Sequence, residues 1–271
     1  MENRFPVTAP AFISVVSDTS SGIEKQRSKK ASGMNVSEHP WIVKLASYLV
    51  PLRVEKRKGK MTTSLEVILE NGRLKLDTAR VNYSFGSLHA IFLETFNSLD
   101  FKKREVEKVL ILGFGAGSVA SLLMQTFQKD CAITGVENDE VVIDLARKHF
   151  HTDKFPKLRI HRMDACEFVL NCRECFDLIV VDVFVDGVTP PGFSETPFLS
   201  RLNNLLSESG MICYNRMVST PEAKKSAEDL TKRMDKLIGA NFHLEYNMGG
   251  CLNWVIVHDR KAIKGEMSVV E

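Results

Sequence analysis

Three alternating glycines, Gly113, Gly115 and Gly117, follow an apolar run at 109–112 in the segment VLILGFGAGS. A buried strand ending this way must turn sharply, and it leaves its main chain bare. Gly113 permits the turn, Gly115 lets a ligand approach the backbone, and Gly117 lets the next helix pack on the strand. Free N–H groups at that helix start attract electronegative ligand atoms. Many strand–helix turns use glycine for geometry alone, so the loop gains weight only from its acidic partners downstream. Glu137 ends the run AITGVE, 20 residues beyond Gly117. Nucleotide-binding folds place there the carboxylate that holds a ribose. Asp164 ends a third run, with Ala165 after it, and Asp182 ends a fourth, FDLIVVD. Asp164 is placed to accept from an adenine amino group, or simply to cap the helix after it. Four successive strands thus end at one edge in glycine or an acid, and open α/β sheets bind ligands along their carboxyl edge.

The elements that must hold these residues are readable as alternating patterns. Buried-type strands KVLILG, AITGVE, LRIHRMD, FDLIVVDVF and GMICYNRM are separated by helical patterns near 117–128, 139–150, 164–171 and 195–206. Such alternation predicts a parallel sheet covered on both faces. A helix over 221–239 and a hairpin of NFHLEYN with LNWVIVHD close the sheet with an antiparallel strand. Upstream, a short helix at 37–50 precedes three alternating strands, with Asn71-Gly72 as the hairpin turn. A helix over 82–96 would place Phe85, Leu88, Phe92 and Phe96 on one face. The expected organisation is a disordered extension at 1–33, a small unit at 34–80, the main domain at 81–262 and a tail at 263–271.

Lys and Arg number 36 against 34 acidic residues, a net charge of +2. That balance argues against nucleic acid as the partner. No apolar run is long enough to span a bilayer. The apolar patch after Arg4 is broken by Pro6 and Pro10 and does not read as a leader. The six cysteines are scattered, which fits reduced thiols and a cytoplasmic location. Cys172 and Cys175 form C-x-x-C without a second pair, so no zinc site is expected. The basic run at 53–60 reads as a solvated strand face, and His149 and His151 as complements to a helix dipole.

The G-x-G-x-G spacing with Asp164-Ala165 resembles the class I methyltransferase fold. Two further stretches, NYSFGSLH at 82–89 and DVFVDGVTPP at 182–191, resemble the spermidine synthase family and its spermidine synthase-like relatives. The resemblance covers roughly residues 45–260 and rests on the ordered set of motifs. It implies an α/β Rossmann-like fold with a mostly parallel seven-stranded sheet, a C-terminal antiparallel hairpin and a small N-terminal β unit. It implies S-adenosylmethionine or its decarboxylated form as co-substrate, a small-molecule acceptor and no metal; a homodimer is compatible with it. Gly113, Gly115 and Gly117 would line the nucleoside and its sulfonium tail, Glu137 would bind the ribose, and Asp164 with Ala165 the adenine. Asp182 and Asp186 would serve catalysis, with Asp182 drawing a proton from an attacking amine. Tyr83 would help wall the acceptor pocket. Apart from the resemblance, His89 lies on the helix near that pocket, where it is either a residue that meets the acceptor or a histidine packed beside the helix.

The chain departs from the family at two places. Aminopropyltransferases carry D-[ST]-[ST]-D-P after the fourth strand; here the loop is Asp182-Val183-Phe184-Val185-Asp186. The acid expected just after the motif tyrosine is also missing. Burying a diamine without countercharges costs several kcal/mol, so a less cationic acceptor is expected, methylated or aminopropylated. Two other readings stay open: a nucleoside-binding protein without catalysis, and an NAD-dependent oxidoreductase, against which the glycine spacing argues.

Overall fold

The computed structural model describes residues 13–14, 40–62, 64–78, 82–185, 187–248 and 250–262. The extension at 1–33, apart from the strand pair at 13–14, lies outside these residues, as do Asp186 and the tail at 263–271. The N-terminal unit holds β1 (Ile13–Ser14), α1 (Pro40–Ala46), β2 (Leu52–Arg57), β3 (Leu65–Glu70), β4 (Arg73–Thr78) and β5 (Asn82–Ser84). They form a five-stranded sheet in the order β1-β2-β3-β4-β5. Its β3–β4 turn has Asn71 at φ 50° and Gly72 at φ 72°. A two-residue turn matching strand twist needs positive φ at both positions, and Asn-Gly supplies them cheaply.

The main domain runs α2 (Ser87–Ser98), β6 (Lys108–Leu112), α3 (Ser118–Ser121, continued by a π turn), β7 (Ala132–Glu137), α4 (Glu140–Phe150), β8 (Leu158–Arg162), α5 (Ala165–Asn171), β9 (Phe176–Val181), α6 (Thr196–Leu205), β10 (Leu206–Met217), α7 (Pro221–Leu237), β11 (Phe242–Met248) and β12 (Cys251–Asp259). Its seven strands lie in the order β11-β12-β10-β9-β6-β7-β8. β12 is antiparallel to both neighbours, and the pairs from β10 to β8 are parallel. This is the expected α/β fold, with its closing hairpin. No helix among the described residues is long and apolar enough to cross a membrane.

The continuous apolar strands are explained by two cores. Successive strand side chains point to opposite faces. Val109 and Ile111 of β6 enter a core with Phe92 and Phe96 of α2, while Leu110 and Leu112 enter another with Leu199 and Leu202 of α6. β9 divides likewise, with Leu178 and Val180 on the first face and Ile179 and Val181 on the second. A third cluster joins Leu65, Val67 and Leu76 of the small sheet to Val142, Leu145 and Ala146 of α4, and to Ala116 of the glycine loop. That contact seats the N-terminal unit beside the carboxyl edge of the large sheet, at the glycine loop.

The structure corrects three local expectations. Residues 82–84 are strand, and the helix starts only at Ser87, so Phe85 is not on its apolar face. Phe85 has φ 65° and stacks on Phe150 and His89 instead. The first helix is shorter than 37–50, ending at Ala46. His149 does more than sit at a helix end: its Nε2 meets Glu55 Oε2 of β2 at 2.5 Å, beside Lys148 at 2.9 Å. The basic strand is therefore partly a docking face. Burial would raise the Glu55 carboxyl, but hydrogen bonds from His149, Lys148 and Arg57 overcome it and hold the group down at about 2.

Candidate active site

Each loop glycine has its own physical reason. Gly113 has φ +80°, and a Cβ there would stand 2.2 Å from the main-chain oxygen of Asp182. The close approach is therefore to a neighbouring strand end: Asp182 N–H donates to Leu112 O at 2.8 Å, which draws the two chain ends together. Gly117 has φ +88°, and its Cβ would meet Thr152 at 2.8 Å and the Phe114 ring at 3.1 Å. The same ring lies over Gly135 of β7, where a Cβ would be 2.5 Å away. Phe114 is buried, so an aromatic plug between two glycines sets the loop. Gly115, at φ +56°, turns its N–H toward Glu137.

Glu137 is 5% exposed. Its Oε2 accepts from Gly115 N–H and its Oε1 from Asp139 N–H, both at 3.0 Å. Desolvation raises its pKa, against the pull of those N–H groups. Asp164 caps α5, its Oδ1 accepting from Cys166 N–H at 2.8 Å and Glu167 N–H at 3.1 Å. Asp182 follows β9, and burial pushes its carboxyl up to about 7, although a hydrogen bond from Asn215 opposes the shift. That bond runs from Asn215 Nδ2 to Asp182 Oδ1 at 2.9 Å.

Gly113, Gly115, Glu137, Asp164, Ala165 and Asp182 all line one cavity at the carboxyl edge. Val136, Met163, Pro190 and Phe193 give it apolar walls, and Val183, Phe184 and Val185 flank Asp182. The N-terminal unit contributes Met61 and Thr62. Its loop is tied down where Lys60 N–H donates to Asp139 Oδ2 at 2.5 Å and Lys60 Nζ to Asn138 Oδ1 at 2.8 Å. Thr62 Oγ1 is buried without a hydrogen-bond partner. That oxygen is closed off from the cavity and packs near Gly59. The polar groups open to a ligand are therefore the carboxylates of Glu137, Asp164 and Asp182 among apolar walls, a lining that fits a polar ligand with an apolar base.

Gly117 and His89 are not among the lining residues. His89 Nδ1 meets Ser118 Oγ at 3.1 Å at the start of α3, and burial lowers its pKa. Tyr83 falls on β5, but its side chain, like Asp186, lies outside the described residues. Two contributors were missed in the sequence. Asn215 is fully buried on β10, and its one signal is a polar residue interrupting MICYNRM. Thr62 had no signal, because its role depends on how the small unit docks.

The chain matches the model of the spermine/spermidine synthase domain over residues 97–248, more than half its length. A polyamine aminopropyltransferase of Vibrio vulnificus is 30% identical over 112 residues, which cover 40% of this chain and 37% of that protein. An eEF1A lysine and N-terminal methyltransferase homolog of Drosophila melanogaster is 25% identical over 167 residues, covering 55% and 25%. The chain thus spans well under half the length of these relatives. A probable spermidine synthase from Corynebacterium glutamicum shares the fold, with a TM-score of 0.57 at 18% identity over 76% of this chain and 79% of that one.

Proposed function

From its membership of the spermine/spermidine synthase domain family, we propose that this chain is a transferase that binds S-adenosylmethionine or its decarboxylated form and passes a methyl or aminopropyl group to an amine acceptor. The observation that carries this reading is Asp182: a carboxyl on the cavity wall, held by Asn215 and raised to about 7. A base with that pKa can take a proton near neutral pH and still release it afterwards.

The other lining residues support the same reading. The oxygens of Glu137 each hold one N–H and keep acceptor capacity for ribose hydroxyls. Asp164 uses Oδ1 for its cap, leaving Oδ2 for an adenine amino group. When bound, the sulfonium supplies an electrophilic carbon and a neutral thioether leaving group. Asp182 removes the proton of the attacking nitrogen, and the rigid ends of β6 and β9 fix where that nitrogen stands. The apolar run at 183–185 favours an acceptor less charged than a diamine. An amine as the attacking group agrees with the names of both relatives, a polyamine aminopropyltransferase and a lysine and N-terminal methyltransferase homolog.

Calorimetry with S-adenosylmethionine, decarboxylated S-adenosylmethionine, methylthioadenosine and NAD in parallel tests the reading. Binding of an adenosyl sulfonium and not NAD is expected; binding of NAD alone overturns it. With putrescine and the decarboxylated co-substrate, methylthioadenosine release should stay well below roughly 1 s⁻¹.

A further inference from the structure

Arg216 of β10 is 6% exposed and lies on the sheet face opposite Asn215. Its Nη1 donates to Ser194 Oγ at 3.1 Å and its Nη2 to Ser226 Oγ at 3.0 Å. Among the described residues no carboxylate lies within ion-pair distance of it. Other shielded guanidiniums are better compensated. Arg104, for one, grips both oxygens of Asp259 at 2.7 and 2.8 Å. A buried cation whose partners are neutral hydroxyls lacks a countercharge, and that is costly.

The two hydroxyls accept from Arg216, so their own protons are free to point elsewhere. They line a cleft of about 290 Å³ together with Lys225 and Arg233. Arg233 Nη1 also holds the Ser194 carbonyl at 2.9 Å. Two acids, Glu222 and Asp229, line the same cleft. Asp229 Oδ1 faces Lys232 Nζ at 3.7 Å, and Glu222 sits in the first turn of α7, where the helix dipole favours it. We infer that this cleft binds a phosphate group, which accepts from the Ser194 and Ser226 hydroxyls and from Arg233 and Lys225, above the Arg216 charge. Donors converging from two helical segments, with cations behind and beside them, suit a tetrahedral dianion better than a planar carboxylate. Phe193 lines the cavity and the next residue, Ser194, lines the cleft.

Thermal unfolding of the full chain tests this, with inorganic phosphate, phenyl phosphate, or chloride at matched ionic strength. A saturable rise of about 2–4 °C is expected with phosphate and not with chloride. Ser226→Ala and Arg233→Ala should each lose most of it, while general salt exclusion would be unsaturable and equal in both variants. A rise with both phosphates assigns the free ion as a sufficient ligand; a rise with phenyl phosphate alone assigns a phosphomonoester. No saturable rise, or the same rise in both variants, overturns the site.

Discussion

The main-chain oxygen of Asp182 occupies the space that a side chain on Gly113 would need, 2.2 Å from an ideal Cβ. The residue that opens the glycine loop is thus what lets the proposed base stand beside it. Gly113→Ala would meet both this clash and a φ of +80°. It should destabilise the fold by about 2–4 kcal/mol in urea unfolding. A variant of wild-type stability would show that the loop relaxes away from Asp182.

Asp182 should impose a pH limb. Its carboxyl is raised to about 7 by burial, so turnover should rise with pH through that value as the base ionises. Asp182→Asn should remove the limb and lower turnover by about 10²–10⁴, with nucleoside affinity nearly unchanged. Stability moves the other way. The folded state holds this proton more tightly than the unfolded chain, so stability is fullest below about pH 4 and falls as pH climbs through about 7. Asp182→Asn should therefore have a higher Tm than wild type at pH 8. A fall in affinity that matches the fall in turnover would make Asp182 an orienting charge instead.

Glu137→Ala should weaken S-adenosylhomocysteine binding by about 1–3 kcal/mol in calorimetry, because hydroxyls lose a charged acceptor. It also strips the N–H groups of Gly115 and Asp139 of their acceptor, so some stability is lost. Glu137→Gln keeps an oxygen for one of them and separates the two effects. Unchanged affinity in a folded variant removes Glu137 from the site.

Glu55 couples the small unit to α4. Its pKa is held down at about 2 by His149, Lys148 and Arg57, so its contribution is present above about pH 4.5 and is lost as pH falls toward 2. Glu55→Gln should cost about 1 kcal/mol at neutral pH, allowing for solvent screening, and should flatten the acid limb of an unfolding-versus-pH curve. An unchanged limb would assign acid sensitivity to other carboxylates.

Much of the fold was legible because its signals are local. Alternating faces on β6 and β9 and the Asn71-Gly72 turn follow from short-range stereochemistry and hydrophobic period. The segment 82–96, strand at Asn82–Ser84 and helix only from Ser87, shows the limit. Aromatics at helical spacing looked continuous, yet Phe85 leaves the helix to stack on Phe150, a partner 65 residues away.

The sequence by itself determined the parallel sheet, its carboxyl edge, and the glycines and acids that end on it, since each depends on a strand's own pattern and on the rule that open sheets bind ligands there. Only the tertiary structure decided why Gly113 must be glycine, which amide holds Asp182, and that Thr62 faces the cavity. Those facts depend on packing between residues far apart in the chain, and no local period encodes such distances. The same holds for Arg216: an arginine inside an apolar strand reads as an oddity until folding brings Ser194 and Ser226 against it and leaves its charge uncompensated.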